Sequence, residues 1–67
     1  MHFIKVKGTD KIPDFIQIRD NDFKLIAYFS TKNIKKGLER NNLSQYLDTI
    51  EKLNETADFS EIIKIEE

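Results

Sequence analysis

A chain of 67 residues with formal net charge −1 makes one domain, residues 1–67, without room for a second core. It has no cysteine and one histidine, His2, which excludes disulfides, thiolate metal sites and a cysteine nucleophile together. Of the staples that domains below about 80 residues use, a partner chain is the one left open.

His2-Phe-Ile-Lys-Val-Lys7 alternates as a strand does, and Gly8-Thr9-Asp10 ends it with turn residues. Pro13, which lacks an amide donor, belongs at the mouth of the second strand, Asp14-Phe-Ile-Gln-Ile-Arg19. Asp20-Asn21-Asp22 tolerates turn conformations, and Phe23-Lys-Leu-Ile-Ala-Tyr-Phe29 returns as a third strand, so the chain opens with an antiparallel meander. Ser30 or Thr31 caps a short helix to about Glu39, with Ile34 and Leu38 on its inner side. Gly37 weakens that helix by about 1 kcal/mol relative to alanine.

Asn42 and Gln45 have the spacing of a capping box for a longer helix over 43–56. Leu43, Tyr46, Leu47, Ile50, Leu53, Asn54 and Ala57 fall on one stripe of it, away from Asp48, Glu51, Lys52 and Glu55. A β-branched run, Glu61-Ile-Ile-Lys-Ile-Glu66, closes the chain as a fourth strand. The expected fold class is α+β: a small antiparallel sheet in the order β-β-β-α-α-β, with one long and one short helix packed on one face.

Side chains alternate across a strand, so parity divides the sheet into two faces. The aliphatic set is Ile4, Val6, Ile16, Ile18, Leu25, Ala27, Phe29, Ile63 and Ile65, and it is expected to meet the helices as the core. The opposite set is Phe3, Lys5, Lys7, Phe15, Gln17, Arg19, Lys24, Ile26, Tyr28, Ile62 and Lys64. A solvated sheet face is ordinarily polar, and this one mixes aromatics and isoleucines with cations.

Three readings of that face follow. As a protein interface, in the first place between two copies in a homodimer, it has an apolar centre of Phe3, Phe15, Ile26 and Tyr28 with Lys5, Arg19 and Lys24 on the rim. As a weak single-stranded nucleic-acid site it stacks bases on Phe3, Phe15 and Tyr28 and neutralises phosphate with Lys5, Lys7, Arg19 and Lys24. In the third reading the fourth strand, the short helix or a loop folds over part of it. The sequence pI near 5.8 and the lack of an aromatic-glycine run weigh against nucleic acid.

Charge is unevenly spread. Residues 1–40 hold nine Lys/Arg against five Asp/Glu, and residues 41–67 hold two against seven, so the halves carry +4 and −5. Lys32, Lys36 and Arg40 stand at i, i+4, i+8, a spacing that ordinarily marks a solvated helix face. Asp48, Glu51, Glu55 and Asp58 form an acidic counterpart that a basic partner could meet.

No reaction chemistry is assembled. Asp20-x-Asp22 starts like a calcium loop but has Leu25 at position six and Thr31 at position twelve, so a hairpin turn is expected instead. Ser30, Ser44 and Ser60 occupy capping or turn positions, and the isolated Gly8 and Gly37 build no phosphate cradle. The chain is expected to be no enzyme and to take no cofactor, metal or small-molecule substrate. A cytoplasmic setting is expected, because cysteine is absent, no leader pattern follows Met1, and no apolar run approaches the ~18 residues of a membrane span.

Overall fold

The computed structural model describes residues 1–66. Four strands, β1 (His2–Val6), β2 (Phe15–Arg19), β3 (Leu25–Ser30) and β4 (Ile62–Lys64), form one antiparallel sheet in the order β3-β2-β1-β4. Between β3 and β4 lie α1 (Ile34–Arg40) and α2 (Leu47–Thr56), so the domain is α+β with the element order β-β-β-α-α-β. No helix is long and apolar enough to cross a membrane among the described residues.

The turn between β2 and β3 is organised by Asp20. Its carbonyl accepts from the Phe23 N–H at 2.9 Å, and its Oδ1 accepts from the N–H groups of Asp22 and Lys24, each at 2.9 Å. Phe23 sits at φ 65°, a left-handed conformation uncommon for so bulky a residue. Ser30 caps the 3-10 turn Thr31–Asn33 that leads into α1, accepting from the Lys32 N–H at 3.1 Å.

The expected capping box at Asn42 does not form. Asn42 takes φ 58° and ends α1 instead: its N–H reaches the Glu39 carbonyl at 3.3 Å, while the Leu43 N–H reaches the Leu38 carbonyl at 2.9 Å. This is a Schellman closure, in which asparagine fills the position glycine usually takes. The stretch expected as one helix over 43–56 accordingly opens with a 3-10 turn at Ser44–Tyr46 before α2.

The helices cover one face of the sheet, α1 lying on β3 and α2 on β1. The core they enclose contains Met1, Phe3, Ile16, Ile18, Ala27, Phe29, Leu38, Ile50, Ala57 and Ile65, with Leu43, Tyr46, Leu47 and Leu53 packed at its margin. Gly37 is buried where α1 approaches β3, and a Cβ there would collide with the ring and Cβ of Phe29. Its helix-weakening cost is therefore the condition for close helix–sheet contact.

Strand β1 has the opposite phase to that expected. Phe3 pairs with Ile18 and Ile63, and Lys5 with Ile16, so Phe3 and Lys5 face the helices while Ile4 and Val6 face the other way. Phe3 is wholly buried. Leu25, expected in the core, is 50% exposed, because the β2–β3 register shifts beside Arg19 and pairs Arg19 with Leu25 rather than Ile26. An extra residue in one strand reverses the facing of what lies beyond it.

Two stability predictions follow from this packing. Phe3→Ala should cost about 3–5 kcal/mol and leave little folded protein, as read by circular dichroism in a urea titration; a change below about 1 kcal/mol would place Phe3 outside the core. Gly37→Ala should lower the melting temperature, although alanine is intrinsically the better helix former, by an overpacking cost of about 1–3 kcal/mol.

Candidate functional site: the open face of the sheet

Cross-strand pairing sets the side chains of the uncovered face in three rows. Val6, Phe15 and Ser30 form the first; Ile62, Ile4, Gln17 and Tyr28 the second; Lys64, His2, Arg19 and Leu25 the third. The middle row joins all four strands. Tyr28 and Ile62, at its two ends, are 56% and 57% exposed, and Ile4 between them is nearly buried by its neighbours. Phe15 and Tyr28 are diagonal neighbours on adjacent strands, and their rings meet at 4.8 Å between centroids, tilted by 50°.

The polar groups on this face are tied to one another. Arg19 donates from Nε and Nη2 to Gln17 Oε1 at 3.3 and 3.0 Å, and from Nη1 to the Phe23 carbonyl at 3.0 Å. Its guanidinium also lies 4.8 Å from the Phe23 ring centroid. His2 meets the same ring edge-on at 5.6 Å, and its Nδ1 lies 3.1 Å from the Asp20 carbonyl. Arg19, Phe23 and His2 thus brace the β2–β3 turn, and the strip from Val6 and Phe15 to Tyr28 and Ile62 is left as the apolar part of the surface.

Of the residues expected here, the structure brings together Phe15, Arg19 and Tyr28, with Gln17, Ile62 and Lys64. Ile26 is 41% exposed at the register shift, outside the paired rows. Phe3 and Lys5 are corrected to the helix side. Lys5 Nζ donates to the Asn54 carbonyl at 2.8 Å, in the last turn of α2, and lies 4.8 Å from the Phe59 ring centroid. A cation suits that position because the carbonyl end of a helix is partially negative. Lys7 lies beyond the end of β1, and Lys24 belongs to the turn before β3. Within the strands, the cations of the open face are Arg19 and Lys64.

Ile4, Val6 and His2 were missed because the phase of β1 was inverted. Neither helix covers this surface and β4 pairs at the edge of the sheet, so neither the short helix nor β4 folds over it. The aspartate pair Asp20-x-Asp22 serves the turn, and among the described residues no cluster of three or more His, Cys, Asp or Glu is placed to hold a metal ion.

No protein-family model, curated protein or solved structure matches this chain. What the fold defines is a class of architecture: a two-layer α+β domain with one sheet face under helices and the other open.

The position of Lys5 gives a direct test. Lys5→Met keeps the aliphatic stem but removes the donor to α2, and should lower stability by about 1 kcal/mol in urea denaturation. Lys7→Met, on the exposed loop, should change it by less than about 0.5 kcal/mol. Equal effects would contradict the placement of Lys5 under α2.

Proposed function

We propose that this domain is a non-catalytic interaction module that self-associates through the open face of its sheet. The observation that carries the reading is the apolar strip Val6, Phe15, Ile4, Tyr28 and Ile62 on a face that the helices leave uncovered. Burying such a strip is favourable at about 25 cal/mol per Å² of apolar surface. Arg19 and Gln17 beside it are already hydrogen-bonded within the chain, which lowers the cost of desolvating them.

A second copy suits this face for a geometric reason. A two-fold axis running across the strands through the middle row places Ile4, Tyr28 and Ile62 of one copy over the same residues of the other. The first row then lies over the third, which sets Arg19 of one copy over Phe15 of the other rather than over a like charge. Phosphate binding has less support here, since Lys5, Lys7 and Lys24 lie off the face and the Arg19 donors are engaged. A cytoplasmic setting belongs to the same proposal and rests on the absence of cysteine.

Light scattering across a dilution series should give a dimer mass that falls to the monomer in Phe15→Ser/Tyr28→Ser, with the circular dichroism spectrum retained. A monomer at all concentrations, or a dimer indifferent to both changes, would overturn this interface. Steep salt-dependent binding of an oligonucleotide by a monomer would favour the nucleic-acid reading instead.

A further inference from the structure

Strand β3 ends the sheet: among the described residues it pairs with β2 on one side and with no strand on the other. Unpaired edges are commonly protected by charge, proline or brevity. The opposite edge, β4, is three residues long and carries Lys64. Strand β3 runs six residues, Leu-Ile-Ala-Tyr-Phe-Ser, with no proline and no charge.

Beside this edge runs α1. Asn33, ahead of α1, lies by Ser30, and Asn41, at its end, lies by Leu25–Tyr28, so helix and strand are aligned antiparallel. Between them is a groove of about 290 Å³, bordered by Phe29, Ser30, Lys36, Gly37, Arg40 and Asn41, with two cations and no carboxylate among its lining residues. The close approach of Gly37 to Phe29 forms part of its wall. Lys32, which shares the i, i+4, i+8 spacing in the sequence, lies in the 3-10 turn and lines a different hollow beside Thr9–Asp14.

We propose that the free edge of β3, together with this groove, takes up an acidic extended peptide as a fifth strand. Main-chain pairing to an open edge supplies affinity without regard to sequence, and alternate side chains supply selectivity. Lys36 and Arg40 are separated by a rise of about 6 Å along α1, close to the ~6.7 Å between alternate side chains of a strand. A peptide that alternates acidic and apolar residues therefore turns its carboxylates towards the two cations and its apolar side chains towards the Tyr28 side. A second copy fits this edge less well, because β3 pairing with its own copy brings Lys36 and Arg40 of both copies together. The inference does not rest on the open-face interface; it concerns the free edge of β3, which borders that face at Tyr28.

The test is a titration of the full chain with the acetylated and amidated peptide Glu-Val-Glu-Val-Glu-Val-Glu, read by backbone amide shifts in two-dimensional NMR. The expected result is binding at low salt with the largest shifts at residues 25–30, weakened at least tenfold by Lys36→Glu/Arg40→Glu. Both substituted positions are exposed, and an unchanged amide spectrum elsewhere checks the fold. Methylating the peptide nitrogens of one alternate set should abolish binding, while methylating the other set should leave it intact. No binding, equal binding of both methylated peptides, shifts confined to the open face, or an unchanged affinity in the charge-reversed variant would each overturn the proposal. A short oligothymidylate that displaces the peptide and gives the same shifts at residues 25–30 would also overturn it, by assigning the groove to nucleic acid. The light-scattering result is independent of all these outcomes.

Discussion

Strand β1 lies between β2 and β4, so its side-chain phase sets the character of both faces of the sheet at once. With Phe3 turned towards the helices, the core gains an aromatic between Ile18 and Ile63, in addition to Phe29. The same choice sends Lys5 under the end of α2, where its ammonium donates to the Asn54 carbonyl and Phe59 lies against its charge. A lysine on the inner face is tolerable because its stem is apolar and its head reaches a helix terminus that favours cations. The opposite face receives Ile4 and Val6 in exchange, and becomes more apolar and less basic. Both properties follow from one strand.

The helix layer depends on a second close fit. α1 can lie against β3 only because Gly37 presents no side chain to Phe29, and α1 is stopped abruptly by the left-handed Asn42. That stop turns the chain so that Leu43 follows Leu38 towards the core and α2 is delivered over β1. Two short helices placed side by side on one face of a four-stranded sheet leave the other face without a layer. Among the described residues no other element lies over that face, and large apolar side chains such as Tyr28 and Ile62 remain at the surface.

The order of the elements was legible in the sequence because each carries its own period: two in the strands, and the Leu43–Ala57 stripe in α2. The turn at Asp20 and the cap at Ser30 were legible from their local chemistry, since each side chain accepts from a backbone N–H within four residues. The phase of β1 was not. One phase offers Met1 and Phe3 with Lys5, the other Ile4 and Val6 with His2, and two large apolar residues on each side leave periodicity no preference. The usable signal was that a lysine can be satisfied by a helix terminus, which requires knowing where α2 ends in space. The register shift beside Arg19 was hidden for a related reason: Leu25 and Ile26 are equally apolar, and only the length of the turn in three dimensions decides which of them is displaced. Phe15, Tyr28 and Arg19 were placed correctly on one face because β2 carries no such ambiguity.

A net charge of −1 conceals a separation of charge that the fold turns into geometry. α1, with Lys35, Lys36 and Arg40, lies on the β3 side of the sheet, and α2, with Asp48, Glu51 and Glu55 all exposed, lies on the β1 side. The basic groove is therefore next to the one long unprotected strand edge, and the acidic helix is on the far side of the helix layer. Fields of opposite sign at two ends of a small molecule orient whatever approaches it before contact is made. Under the proposal for the β3 edge, an acidic chain is drawn towards the strand where backbone pairing is available, and a basic one is drawn away from it. The apolar face lies across the sheet from both helices, where its own cations are held to Gln17 and Phe23 or stand at the β4 margin. The association proposed for that face depends on burial of apolar surface, and the one proposed for the β3 edge depends on charge. Salt should separate the two, weakening the edge and sparing the face.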